Sequence, residues 1–268
     1  MRRDPLNPLL FHYTKRETAI ERIFFDGTIR MGPLTLTNDP EESALGSFTL
    51  ATNDEVSSEE FRGILDTCKR ISTSPVRLAC FTEESYNCYG LRTGMHGYEH
   101  GRMWAQYAGI NSGVAIAFDK DCLIANMKAH FVGRKGRPLH GPVKYVERIG
   151  FSESPFHMTD HEEIKVLGLV AYARKQRDTF AEERYLRKTI DWQGEQEYRF
   201  VWIDDDDEYS KEGEYIRISD CVKSICLGTH FPPPYMSNVK AICERFDIRA
   251  YRITHEAGRR DMVPIRWV

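Results

Sequence analysis

Residues 191–209 read D-W-Q-G-E-Q-E-Y-R-F-V-W-I-D-D-D-D-E-Y, and the run from Glu195 to Ile203 alternates with the period of a β-strand. Gln196, Tyr198, Phe200 and Trp202 fall on one face, and Glu195, Glu197, Arg199 and Val201 on the other. The aromatic face is built for burial, so the chain is expected to hold this strand against a sheet core. The opposite face opens with two carboxylates and a guanidinium, where an ordinary solvent face would be served by Thr, Lys or Ser. At a rise of about 3.3 Å per residue, the side chains of Glu195 and Glu197 stand about 6.6 Å apart on one face. That spacing suits two acids that embrace one sugar or one cation. The plain alternative is that both glutamates pair with Arg199 and nearby lysines on a solvated face, where each pair contributes little.

Outward from this strand, helical and extended patterns alternate along the chain. Leu9–His12 reads as a strand and Arg16–Phe25 as a helix ended by Gly27. The segment 28–37 alternates weakly and ends in N-D-P-E-E, where Asp39 suits an N-cap, Pro40 the first helical position and Glu42 the far side of a capping box. Glu60–Ile71 is expected to be helical, Pro75–Phe81 a buried strand, and the stretch beginning at Gly90 a glycine-rich loop. A short helix with Met103, Trp104 and Tyr107 then passes through Gly109 and Gly113 into the apolar strand Val114–Phe118. Helical patterns run from Asp160 to Ile190, and the acidic run after Ile203 reads as a hairpin loop into E-Y-I-R-I. Strands at Val222–Leu227, Arg249–Ile253 and Met262–Trp267 and a helix at Met236–Phe246 complete the chain. With no repeat and no Pro/Gly linker, residues 1–268 are expected to form a single α+β domain.

Hydrophobic residues at 41% and charged residues at 29%, with no long apolar run, place the chain among soluble globular proteins. The N-terminal M-R-R-D-P-L-N-P-L-L-F-H-Y-T has an apolar patch too short for a signal peptide or a membrane span, so a cytoplasmic location without membrane contact is expected. Seven cysteines without a C-x-x-C pair signal neither a disulfide framework nor a zinc ribbon, and all are expected reduced. A net charge of −3 argues against a surface that is one nucleic-acid footprint, leaving R-K-G-R at 134–137 as a local basic patch or a solvated turn.

His12 lies near a strand end with Thr14 on the same face, where an imidazole and a hydroxyl hold one ligand edge or, more simply, satisfy the backbone. H-G-Y-E-H at 96–100 and H-M-T-D-H at 157–161 have the spacing of metal-binding histidines on a helix, but neither carries the glutamate placement of a zinc protease, and no metal is expected. P-loop, dinucleotide-fold and hydrolase signatures are absent from the sequence. Cys80, in L-A-C-F-T, reads as core rather than as an activated thiolate.

Taken together, F-H-Y-T at 11–14, N-D-P-E at 38–41, L-A-C-F-T at 78–82, M-W-A-Q-Y-A and G-V-A-I-A-F-D between 103 and 119, and W-Q-G-E-Q-E-Y-R at 192–199 resemble a bacterial family of domains of unknown function, numbered 2971. The order of motifs also resembles, more distantly, the ADP-ribosyltransferase superfamily, including DNA-modifying toxins that begin with a strand, a histidine and a threonine two residues on. That resemblance implies a mixed and antiparallel split sheet flanked by helices, with NAD as substrate. It implies His12, with Tyr13 and Thr14 beside it, for holding NAD, and Phe81 for stacking on nicotinamide. Trp104 and Tyr107 would sit on the helix flanking the cleft, Glu197 would grip the nicotinamide ribose, and Glu195 would direct the acceptor. Phe81 departs from the tyrosine commoner at that position. A carboxylate on the ribose stabilises the positive charge that develops as the glycosidic bond breaks. The functions implied are an NAD-dependent ADP-ribosyltransferase, as a toxin or phage-defence effector with an antitoxin or regulatory partner, an NAD glycohydrolase, or a silent binding module on the same fold. The acceptor, whether protein, nucleic acid or small molecule, is left open.

Overall fold

The computed structural model describes residues 8–39, 42, 49–51, 55–84, 94–147, 158–205, 213–256 and 258–267. Residues 1–7, Pro40, the start of the glycine-rich loop, Cys88, His157 and most of the acidic hairpin loop lie outside the described residues.

The strands in chain order are β1 (Leu9–Thr14), β2 (Thr28–Pro33), β3 (Thr49–Ala51), β4 (Val76–Glu83), β5 (Val114–Asp119), β6 (Gly136–Pro142), β7 (Lys144–Val146), β8 (Met158–Asp160), β9 (Arg187–Thr189), β10 (Glu197–Asp204), β11 (Glu214–Arg217), β12 (Val222–Leu227), β13 (Arg249–Glu256) and β14 (Arg259–Pro264). Ten of them make one mixed sheet. Its main path runs β11-β2-β4-β1-β5-β12-β13-β14, with β10 on the other edge of β4 and β6 beyond β10. Among the described residues, only the β12–β13 ladder is parallel in this sheet. The α+β class and the mixed sheet therefore agree with the sequence.

β4 organises the molecule. One edge pairs with β10 along its length, from Val76↔Ile203 to Thr82↔Glu197. The other edge is shared: β2 pairs at Arg77 and Leu78, and β1 at Thr82 and Glu83. Both run antiparallel to β4 and then leave it, β1 to follow β5 and β2 to follow β11. Ala79, Cys80 and Phe81 thus face a split in the sheet, and the His12 imidazole reaches across it to the Cys80 carbonyl at 3.1 Å.

Both faces of β4 and β10 are covered, which corrects the expectation of a half-buried strand: all of Glu197–Ile203 is buried. On one side Phe81, Phe200 and Trp202 pack with Leu123 and Met127 of the helix Lys120–His130, a helix the sequence pattern did not reveal, and with Phe131 just past its end. On the other side Leu78 and Val201 meet Tyr185 and Leu186, while beyond the split Phe11 and Tyr13 meet Met103 and Trp104. Gly97 lets the loop before the helix Gly101–Gln106 lie on Phe11, whose ring a Cβ would meet at 2.1 Å.

Three local expectations change. β10 begins at Glu197, because Ile190–Glu195 winds as a 3-10 turn and Gln196 takes a left-handed backbone with φ of 43°. The helical pattern before it stops at Tyr185, and Lys188 lies on the short strand β9, which pairs with β7. Cys122 and Cys221 are joined by a disulfide, so the cysteines are not uniformly reduced. The segment 16–26 is helical as expected, with a π-helical middle at Ala19–Ile23 and Gly27 at φ +66° as its terminator. Among the described residues, no helix is long and apolar enough to cross a membrane.

Candidate active site

At the split lies a cavity of about 300 Å³, lined on its floor by Ala79, Cys80 and Phe81 of β4, on one side by Phe11, His12 and Tyr13, and on the other by Arg30, Gly32 and Pro33. Its inner end carries Tyr107, Lys188, Glu195, Glu197, Arg199 and Glu42. The two glutamates that opened the sequence question therefore face a cleft and not open water, although only Glu197 is on the strand.

The inner end is a buried charge cluster. Lys188 Nζ stands 2.8 Å from Glu195, 3.1 Å from Glu197 and 3.8 Å from Glu42, with each side chain at most 6% exposed. Arg199 donates from Nε and Nη2 to the two oxygens of Glu197 at 2.5 and 3.0 Å, and from Nη1 to the Tyr185 carbonyl at 3.0 Å. Its Nη2 also donates to Glu42. The Tyr107 hydroxyl donates to Glu195 Oε1 at 2.7 Å, and the Glu197 amide donates to the Tyr145 hydroxyl at 2.8 Å. Trp192 closes the outside, with Lys188 4.5 Å from its ring centre and Arg102 5.1 Å.

Burial alone would push the Glu197 carboxyl up, but Arg199, assisted by Lys188 and the Cys80 thiol, outweighs it and holds Glu197 at about 2. Lys188 is likewise pulled down by burial and raised above its usual value by Glu197, Glu42 and Glu195. It stays an ammonium and is no nucleophile. Burial, and then the Glu197 charge, push the Cys80 thiol well up, so Cys80 is a donor to that carboxylate and not a thiolate, in line with its sequence context.

His12 is kept neutral by burial. Its Nδ1–H donates to the Cys80 carbonyl, which leaves Nε2 as an acceptor, and its ring lies 5.7 Å from that of Phe81. Phe81 is held edge-on by Phe118 and Phe200 at 5.8 and 5.4 Å. Tyr13 lines the cavity with its ring while its hydroxyl bonds the Gly97 carbonyl. Thr14 and Trp104 are not among the lining residues: Thr14 ends β1 opposite Val114, and the Trp104 indole donates to the Tyr98 carbonyl within the core.

The histidines of 96–100 do not converge, since His96 faces Glu84 and His100 faces the Gly194 carbonyl. The basic patch is also spent internally, Arg134 on Glu214 and Arg137 on the Asp178 carbonyl. Lys188 carried no sequence signal, because its pattern was helical. Glu42 had a sufficient structural explanation as a cap, but its carboxylate turns to Arg199 and Lys188 instead.

Fold and site together define an α+β protein with a buried carboxylate cleft at the split of its sheet. Within it, residues 103–200 match the family described as "Protein of unknown function (DUF2971)", a segment that contributes Tyr107, Lys188, Glu195, Glu197 and Arg199 to the cleft. F-H-Y-T, N-D-P-E and L-A-C-F-T lie outside the matched segment. No curated protein and no solved structure matches the chain.

Proposed function

We propose that the protein is an NAD-dependent ADP-ribosyltransferase, acting in the cytoplasm as a toxin or defence effector. The observation that carries this is the convergence, at one split in the sheet, of His12, Phe81, Tyr107, Glu195 and Glu197 around a single cavity. The cavity is at the small end for ligand sites, so it takes the nicotinamide ring and its ribose. The remainder of the dinucleotide runs out over Arg30, Thr37 and Asn38 at the rim.

Glu197 supplies a carboxylate that is ionised over the whole physiological range, as stabilisation of a ribosyl cation requires. Arg199, Lys188 and Cys80 already donate to it, and a carboxylate has about four lone-pair sites. The thiol is the weakest of these donors, so a ribose hydroxyl takes its place at least cost. The ion pairs leave the carboxylate fixed in position, and fixed charge needs no reorganisation when the glycosidic bond breaks.

The same saturation of Glu197 is what a silent binding module on this fold would show, and water in place of an acceptor would make the site an NAD glycohydrolase. Thermal denaturation with NAD separates the first of these. NAD at a hundred times its dissociation constant adds about 2.7 kcal/mol to the folded state. Glu197→Gln then leaves NAD binding in place and slows nicotinamide release by about a hundredfold. Unchanged release in that variant removes Glu197 from the chemistry, and absence of any NAD-dependent shift removes NAD from the site. Labelled NAD with a cell extract, read by mass spectrometry, distinguishes transfer from hydrolysis and names the acceptor.

A further inference from the structure

Glu42 lies in the cleft as a third carboxylate, against the two cations Lys188 and Arg199 among the described residues. The cations are not shared evenly. Arg199 commits Nε to Glu197 and Nη1 to the Tyr185 carbonyl and divides Nη2 between Glu42, which it approaches more closely, and Glu197, so that Arg199 and Lys188 both meet Glu42 at the same oxygen, Oε1. Lys188 is closer to both other carboxylates, at 2.8 and 3.1 Å against 3.8 Å for Glu42. Glu195 is differently placed, with Oε1 taken by the Tyr107 hydroxyl and Oε2 by Lys188. A buried carboxylate with partial compensation lowers its energy by holding a proton.

We propose that Glu42 holds the exchangeable proton of the cleft and, resting on the transferase function proposed above, is the general base that accepts the proton of the attacking acceptor, with Glu195 as a positioning residue. Among the described residues, the titratable and charged groups that line the cavity with Glu42 are Glu197 and Arg199 on β10, Lys188 on β9, Cys80 on β4, Arg30 on β2, His12 and Tyr13 on β1, Tyr107, and Glu195 in the turn before β10. Burial raises the Glu42 carboxyl above its usual value, against the pull of Arg199 and Lys188, and the Glu197 charge raises it further. In the transfer step the acceptor heteroatom bonds the anomeric carbon of the nicotinamide ribose. The glycosidic C–N bond breaks with its electron pair leaving on neutral nicotinamide, and the acceptor's O–H or N–H proton passes to ionised Glu42. With water as acceptor the same balance gives hydrolysis.

Two measurements on the full chain test this. In protein labelled with carbon-13 at the glutamate carboxyls, one resonance titrates above the ordinary carboxylate range and is missing from Glu42→Gln. Nicotinamide release from NAD rises with pH along the same curve in the wild type. It becomes pH-independent and about a hundredfold slower in Glu42→Gln, and regains a pH-dependent limb in Glu42→Asp. Persistence of the limb in Glu42→Gln, or absence of a high-titrating carboxyl belonging to Glu42, overturns the assignment. A high-titrating Glu42 in a protein that neither binds NAD nor releases nicotinamide supports the assignment of the proton and removes the transferase chemistry.

Discussion

β10 begins in one ion cluster and ends in another. At its start Glu197 and Arg199 share the cleft with Glu42, Glu195 and Lys188, with every side chain at most 6% exposed. At its far end Asp204 lies 3.6 Å from Arg134, which grips Glu214 of β11 with two bonds of 2.7 and 2.8 Å while His130 adds a third at 3.0 Å. Each arginine grips its carboxylate with two bonds, Arg199 through Nε and Nη2 and Arg134 through Nη1 and Nη2, and both Glu197 and Glu214 are held at about 2. The causes differ. At the rim, Arg134's hydrogen bonds dominate and burial is secondary; in the cleft, burial is the largest influence and is overcome only by Arg199 and its neighbours. Solvent can replace a lost partner at the rim. In the cleft nothing can, so that cluster must be complete to be tolerated, and a function that uses it is the simplest reason to keep it.

Removing one cation from each cluster should give the largest contrast. Arg199→Met leaves three buried carboxylates with Lys188 alone and is expected to cost about 3–5 kcal/mol. Arg134→Met leaves Glu214 to His130 and water and, discounted for the 38% exposure of the Arg134 side chain, should cost about 0–1 kcal/mol. Urea unfolding of both variants reads the difference, and equal losses would mean that the cleft cluster is more solvated than its packing shows.

The distance between these two outcomes also marks what the sequence conveyed. Strand period and turn chemistry expose β1, β4, β5, β10 and β12, because each is a continuous apolar or alternating run. They also place Glu197 and Arg199 together, since two residues on one strand share a face. The sequence could not show that this face is buried, because what covers it, Tyr185, Leu186 and Lys188, comes from a stretch whose local pattern is helical. Glu42 was hidden for another reason: N-D-P-E-E has a complete local explanation as a cap, and only long-range packing brings it to Arg199, 157 residues away. The split of β4 between β1 and β2 is likewise a matter of pairing, which no local pattern encodes.

A smaller effect separates carboxylates within the cleft. Glu197 has its folded value lowered to about 2 from 4.5, so its contribution is fully present above 4.5 and is lost as pH falls toward 2. Glu42 has its folded value raised, so between 4.5 and that raised value the folded chain holds a proton that the unfolded chain has released. Its contribution is therefore lost as pH rises through that window. Glu42→Gln should flatten the slope on the neutral side and leave the acid side unchanged, as read from urea midpoints across the range. A neutral-side slope that survives the substitution would assign it to another group.

The smallest expected effect tests whether the two clusters differ in solvation or only in the number of bonds. Raising ionic strength from about 0.1 M to about 1 M shortens the screening length from about 10 Å to about 3 Å. The Arg134–Glu214 pair is reached by solvent ions, so the cost of Arg134→Met should shrink toward zero in high salt, a change of a few tenths of a kcal/mol up to about 1 kcal/mol. Counterions do not enter a cluster whose side chains are at most 6% exposed, so the cost of Arg199→Met should hold constant after correction for the salt dependence of the wild type. If the Arg199→Met cost falls with salt in the same proportion, ions reach the cleft through its mouth at Arg30 and Asn38. Lys188 and Arg199 would then be screened partners rather than fixed charges, and the electrostatic role proposed for Glu197 would lose the low-dielectric surroundings it depends on.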